Sequence, residues 1–350
     1  MKHTLVALAA LTAAAGATAQ SSVTLFGVLD ASVARVSAGG NAVTGLSSGG
    51  LSSSRLGFRG VEDLGGGLKA GFWLEGGLAA DNGGSGFKFD RRSTVSLSGD
   101  FGEVRLGRDK SPAYLNVETF DPFGDIGVGG VNGANLLGSA SSAVGTAEGS
   151  APKRYSNSVG YLLPKLNGFY GQVAYSFGEK SSSIENDRMG SSVALRGGYS
   201  AGALNVALGY GQSRGGTDAV GVDYKSTNIG VSYDFKVVKP MVLFATEKSN
   251  GKRVDLFALG ATAALGAGEL RASYAMFKAK NAANADSSKL ALGYGYNLSK
   301  RTQLYATVAR MSNDDNAKRG LAVSSSSLAS PSIANGANVT GYEFGIRHTF

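Results

Sequence analysis

The chain has 350 residues, of which 53 are glycine, 6 are proline and none is cysteine. Glycine is roughly twice its ordinary share, but without abundant proline or a strict period, so collagen is excluded. Lys and Arg number 34 against 26 Asp and Glu, a formal +8, yet only 17% of residues are charged and 43% are hydrophobic. That is too apolar for a disordered chain and too weakly basic for a nucleic-acid binder. Without cysteine there is no disulfide scaffold, thiolate metal site or cysteine nucleophile. The histidines are His3 and His348 alone, which leaves a His triad or zinc cluster almost nothing to draw on.

Lys2 and His3 form a short basic head, Thr4 to Ala19 is uncharged and rich in Ala and Leu, and Ala17-Thr18-Ala19 reads as a small-x-small cleavage site before Gln20. This predicts a secretory signal peptide over residues 1–19 and a mature domain over 20–350. A membrane-spanning helix needs about twenty apolar residues, and this run is shorter and ends in small ones. No later stretch supplies such a helix, because glycines interrupt every window.

The mature chain alternates instead. Tyr342, Phe344, Ile346, His348 and Phe350 share one parity, and Glu343, Gly345, Arg347 and Thr349 the other. Leu204, Val206, Leu208 and Tyr210 stand in the same way against Asn205, Ala207, Gly209 and Gly211. Such strands have one apolar and one polar face. Short connections, as at Gly99 to Gly102 and Leu265 to Gly268, are interleaved with longer ones rich in Gly, Ser, Asn and Asp. The longer ones fall near residues 37–53, 76–90, 109–152, 178–190, 212–223, 248–252, 279–287 and 311–339. This punctuation predicts an all-β, up-and-down antiparallel meander of about sixteen strands, each near the ten residues that cross a bilayer when tilted.

Where that sheet sits follows from its aromatic and apolar residues. Aromatics gather near strand ends at Tyr161, Phe169, Tyr233, Phe235, Tyr294 and Tyr296, and the chain stops on Phe350. The strands are too long and even for a soluble sandwich, whereas a transmembrane β-barrel turns the apolar parity to lipid and removes every edge by closing.

Several segments carry a family resemblance: the start SSVTLFGVLDASV, the hairpin SRLGFRGVEDLGGGLKAGFWLE, the run FDRRSTVSLSGDFGEVRLGRD, the segment RYSNSVGYLLP, the turn YNLSKRTQLYA and the end YEFGIRHTF. In this order, over nearly the whole mature chain, they resemble the trimeric general-diffusion porins of the Gram-negative outer membrane, nearest the anion-selective porins of betaproteobacteria. The resemblance implies a sixteen-stranded barrel, a homotrimer, and a third long loop, 109–152, folded into the lumen to narrow the pore. It implies export to the outer membrane and contact there with lipids and lipopolysaccharide. Passive diffusion of small hydrophilic solutes, anionic or neutral, would follow without cofactor or metal. The terminal Phe350 resembles the signal read by the outer-membrane insertion machinery.

The family's basic wall residues fall on Arg55 in the second strand, the Arg91-Arg92 pair opening the fourth, and Arg154 opening the sixth. Parity turns Arg92 inward, because Val95 and Leu97 must face lipid; Arg91 points inward only if the strand begins after it. The same test puts Arg55 and Arg59 opposite Leu56 and Phe58, Lys69 and Glu75 opposite Ala70, Phe72 and Leu74, and Arg105 opposite Val104 and Leu106. In the third loop, Glu118, Asp121 and Asp125 surround Asp121-Pro122-Phe123-Gly124-Asp125, and these acids could pair with the wall arginines. A loop of this length is functional or disordered, and Phe120, Pro122 and Phe123 give it something to pack.

A barrel enzyme needs a nucleophile with a positioned base, and His348, on the outward parity beside Phe350, is badly placed to serve. The expectation is therefore a channel and not an enzyme. Lys248-Ser249-Asn250-Gly251-Lys252-Arg253 lacks the interleaved aromatics that stack bases, so no nucleic-acid partner is expected.

Overall fold

The computed structural model describes residues 22–84, 86–131, 133, 136–137, 152–164, 166–217, 219–280, 282–321, 323, 328 and 331–350. The signal peptide expected over 1–19 lies outside them. The strands are β1 (Ser22–Ala38), β2 (Asn41–Ser48), β3 (Arg55–Gly65), β4 (Leu68–Gly77), β5 (Arg92–Gly99) and β6 (Gly102–Lys110). After a helix α1 (Pro112–Thr119) come β7 (Arg154–Leu162), β8 (Phe169–Ser176), β9 (Ser192–Ala201), β10 (Leu204–Gly216), β11 (Gly221–Tyr233) and β12 (Val238–Ser249). The last are β13 (Lys252–Leu265), β14 (Gly268–Lys280), β15 (Ser287–Asn297), β16 (Thr302–Asn313) and β17 (Val339–Thr349).

All neighbours pair antiparallel in one sheet that closes where β1 meets β17, with Val28 opposite Thr349 and Ala38 opposite Val339. On its other edge β1 pairs with β2 along its second half and with β3 along its first. β2 and β3 are therefore one barrel strand interrupted at residues 49–54, and the seventeen segments make a sixteen-stranded barrel.

Alternation sets the faces. Along β15, Leu290 and Leu292 are 61% and 49% exposed, whereas Lys289 and Ala291 on the other parity are each 1% exposed. On β17, Phe344 is exposed and Glu343 buried. A water-soluble sheet would have the reverse, so the apolar parity is the lipid-facing one. Cysteine at outward Leu208 should accordingly resist a water-soluble thiol reagent that modifies cysteine at inward Asn205, and equal labelling would contradict this orientation. Gly209 is a poor inward probe, because a β-carbon there would lie 2.6 Å from Asn228 and 3.2 Å from Ala113 of α1.

Three of the connections expected to be long are short. β1 continues to Ala38 and turns through Gly39 and Gly40, both at positive φ. Asn250 and Gly251, at φ 46° and 73°, make a two-residue hairpin turn where residues 248–252 read as a loop. The 212–223 connection shrinks to residues 217–220 because β10 and β11 extend past the expected barrel rim. Gly and Asn supply the positive φ of a tight hairpin as readily as they populate a loop, so composition did not separate the two.

The seam is sealed by the last residue. The Gly27 N–H donates to the Phe350 carbonyl at 2.9 Å, and the Phe350 N–H donates back at 3.1 Å. The Phe350 ring lies directly over Gly27, where any β-carbon would collide with it.

Candidate pore constriction

The third long loop enters through α1, which the alternating pattern does not reveal. Its local signal is Ser111-Pro112: the Ser111 Oγ accepts from the Tyr114 N–H at 3.2 Å, and proline occupies the first helical turn, where no donor is needed. The helix packs on the inner face of the barrel. Asn116 Nδ2 donates to the Ala207 carbonyl at 3.0 Å and to Asn228 Oδ1 at 2.7 Å. Arg196 donates to Asn116 Oδ1 and Thr119 Oγ1 at 3.0 and 2.9 Å, tying the end of the helix to β9.

Beyond α1 the chain follows the inner wall by placing side chains over inward glycines. Phe120 lies on Gly230 of β11, Pro122 on Gly260 of β13, and Phe123 on Gly293 of β15; a β-carbon at these sites would fall 2.0, 2.5 and 2.9 Å from the respective rings. Each glycine is thus a recess in the wall into which the loop is keyed. Wall charges then hold its backbone. Glu343 Oε2 accepts from the Val128 N–H at 3.1 Å, Glu247 Oε2 accepts from the Leu137 N–H at 3.0 Å, and Lys289 Nζ donates to the Gly130 carbonyl. Arg319 donates to the Leu136 carbonyl at 3.0 Å; burial lowers its guanidinium to about 10. These buried contacts make the loop part of the wall.

Between the loop and the facing strands lies a cavity of ≈ 530 Å³. Arg55, Arg91, Arg92, Arg105 and Arg154 line it from β3, β5, β6 and β7 and the residue preceding β5, with Glu75 of β4 beside them. β5 begins at Arg92, which is the condition under which Arg91 was expected to face inward. Glu118 and Asp121 line it from the loop. The structure adds Asp109, Lys110, Trp73 and Arg271. Lys110 and Asp109 sit past the irregularity in the β6–β7 register between Gly107 and Asp109, where simple parity counting fails. Arg271 comes from β14, on the far wall, and no local pattern connects it with the others.

Arg59, Lys69 and Asp125 are not among the cavity-lining residues. Arg59 stands nearer the short-turn end, over the rings of Phe26 and Trp73. Lys69 is one position into β4 from that turn, paired in register with Asp63 and Ser98. The Asp125 side chain is fully buried, accepting from the Gly133 N–H at 3.0 Å and pairing with Lys153 at 2.8 Å.

The loop acids do not meet the wall arginines in ion pairs. Glu118 takes Lys110 at 2.6 Å, and Asp121 accepts three backbone donors of its own loop, Phe123, Asp125 and Val131, at 2.8–2.9 Å. The arginines find partners on the wall. Glu75 binds Arg91 at 2.6 Å and lies 3.8 Å from Arg55, while Asp109 lies 3.0 Å from Arg105 and 3.6 Å from Arg92. Arg154 donates to the Arg91 carbonyl at 2.8 Å and has no carboxylate within 4.0 Å among the described residues. Seven basic side chains and four acidic ones line the cavity, an excess of three positive charges.

Burial, reinforced by the Asp125 charge, raises the Asp121 carboxyl to about 6 against the pull of its three N–H donors. Because the value is raised, protonation comes as pH falls through about 6, and the cavity then loses a negative charge. Anion preference should increase through that window in reversal-potential measurements, and Asp121→Asn should remove the step. A preference independent of pH between 5 and 7 would contradict the assignment.

A sequence profile of Gram-negative porins matches residues 7–316. The chain belongs to the Gram-negative porin family. Outer membrane porin protein 32 of Delftia acidovorans is 40% identical to it, over all of both chains. An outer membrane porin protein of Bordetella pertussis is 33% identical over 87% of this porin and 93% of the relative. The solved anion-selective porin from Comamonas acidovorans superposes with a TM-score of 0.85 at 39% identity, over 95% of this porin and 100% of that chain. The barrel accordingly spans the outer membrane many times, and its lumen is a channel for passive diffusion of small hydrophilic solutes.

Proposed function

We propose that this porin prefers anions, that the ≈ 530 Å³ cavity is its constriction, and that it works as a homotrimer. The observation that carries the preference is the excess of three positive charges lining the cavity. The competing possibility is that Glu118, Asp121 and Asp125 neutralise the arginines. Against it, Glu118 is engaged by Lys110, Asp125 by Lys153, and Asp121 by backbone donors. A solved relative of high similarity is described as anion-selective, which supports the same reading. Selectivity then follows from charge and diameter alone, with no catalytic step. Reversal potential across a planar bilayer under a salt gradient tests it: anions should pass several-fold better at low salt, with the ratio shrinking as screening grows. A cation preference would overturn the proposal.

The proposal includes export through residues 1–19 and use of Phe350 as an assembly signal in contact with the insertion machinery. Phe350→Ser should leave the protein in the periplasm, read by fractionation and surface labelling. Normal surface-exposed trimers of that variant would remove Phe350 from the assembly pathway.

A further inference from the structure

We propose a second solute site in this porin, on the short-turn side of the cavity, that takes aromatic carboxylates of the benzoate class. It rests on the reading of the barrel as an anion-preferring channel and adds a site that adjoins the cavity and extends beyond it to Arg59 and Phe26. Its elements are a column of guanidinium groups and rings on the inner wall of β1, β3, β4 and β5. The Arg92 guanidinium carbon lies 4.5 Å from the Trp73 ring centroid. That of Arg59 lies 5.1 Å from Trp73 and 5.4 Å from Phe26. Phe26 and Trp73 meet edge to face, with centroids 5.1 Å apart and planes at 64°.

Register explains how they come together. Arg59 is directly opposite Trp73 in the β3–β4 ladder, and Phe26 is opposite Gly57 in the β1–β3 ladder. A β-carbon at Gly57 would lie 2.4 Å from the Phe26 ring, so glycine there lets the ring lie along the wall instead of being pushed out of the stack. Trp73 also lines the cavity, which makes the column continuous with it.

The chemistry of the site is set by Arg59. Arg55, Arg91, Arg92 and Arg105 each have a carboxylate within 4.0 Å. Arg59 is exposed, and among the described residues its side chain has neither a carboxylate nor a hydrogen-bond partner, only the two rings. A guanidinium beside two rings and without a hydrogen-bond partner keeps its in-plane donors available, and that fork matches a carboxylate. Phe26 and Trp73 are only half-buried, so ring surface borders the same donors. Charge alone would attract any small anion. Donors and ring surface side by side favour an aryl carboxylate over an alkyl one of the same charge and bulk.

The test uses the purified porin in planar bilayers with chloride as the carrier ion at neutral pH, comparing benzoate with cyclohexanecarboxylate. The concentration of benzoate that halves the chloride current should be roughly three- to tenfold lower. Arg59→Lys keeps the charge without the planar fork, and Phe26→Leu keeps the bulk without the ring; each should bring the ratio toward one. Discrete chloride conductance steps report that a variant has assembled, and if one variant forms no channels the other carries the test. Equal half-blocking concentrations in the unmodified porin, or a ratio unchanged in the variants, would overturn the site. Reversal potential in potassium chloride, recorded in the same bilayers, separates the two readings. Anion preference without benzoate discrimination removes only the aromatic site, whereas cation preference removes the reading on which it rests.

Discussion

Replacing Arg55, Arg92 and Arg154 together by Ser is expected to abolish anion preference. These residues supply three of the seven basic groups lining the cavity, so the variant keeps four basic side chains against four acidic ones. A unit charge about 4 Å from a permeating ion contributes about 1 kcal/mol even in water-like dielectric, a factor of about five in local ion concentration. Three charges acting together exceed what salt screening removes at low ionic strength. Loss of Arg55 also leaves Glu75 with Arg91 as its remaining ion-pair partner, and loss of Arg92 leaves Asp109 with Arg105. The released negative potential should push the reversal potential to neutral or toward cations. An unchanged value would mean that these arginines do not line the narrowest section.

The second large effect is expected at a residue with no charge and no side chain. Gly230→Ala places a β-carbon 2.0 Å from the Phe120 ring, and Phe120 is only 2% exposed and hemmed in by the buried cluster under the loop. Overpacking of this kind costs about 1–3 kcal/mol when the neighbour cannot yield. The one direction free of wall is the lumen, so the end of α1 should shift inward and single-channel conductance should fall. Combining Gly230→Ala with Phe120→Ala removes the collision and should restore conductance toward the unmodified value. Phe120→Ala alone, by vacating a buried ring site, should loosen the loop by about 3–5 kcal/mol of lost packing and increase current noise. If Gly230→Ala conducts normally and the double variant behaves like Phe120→Ala alone, the loop is not keyed into that recess.

The two experiments address different parts of the channel. The arginine substitutions change the potential in the lumen while leaving the loop's anchors in place, because none of the three contributes a hydrogen bond to the described residues between 120 and 137. The glycine substitution moves the loop without changing any charge. Selectivity should therefore respond to the first and conductance to the second.

What the sequence alone determined is everything that repeats locally. Alternating parity along segments such as Leu204–Gly211 and Tyr342–Phe350 established the strands, their lipid and lumen faces, the closed barrel and the inward direction of Arg55, Arg92 and Arg105. A period of two is carried by neighbouring residues and needs no knowledge of the rest of the fold. The tertiary structure decided whatever depends on residues far apart in the chain. Asp121 and Asp125 read as possible partners of the wall arginines, but once the loop folds they accept from its own backbone and from Lys153. Arg271 reaches the cavity from the far wall. Lys289 finds the Gly130 carbonyl 159 positions away. Arg59 has the same parity as Arg55 but stands nearer the short turns, since parity gives the side of a sheet and not the depth along the pore. Buried charges and orphan backbone groups must be matched wherever they meet, and that meeting is a property of the closed barrel, not of any segment in it.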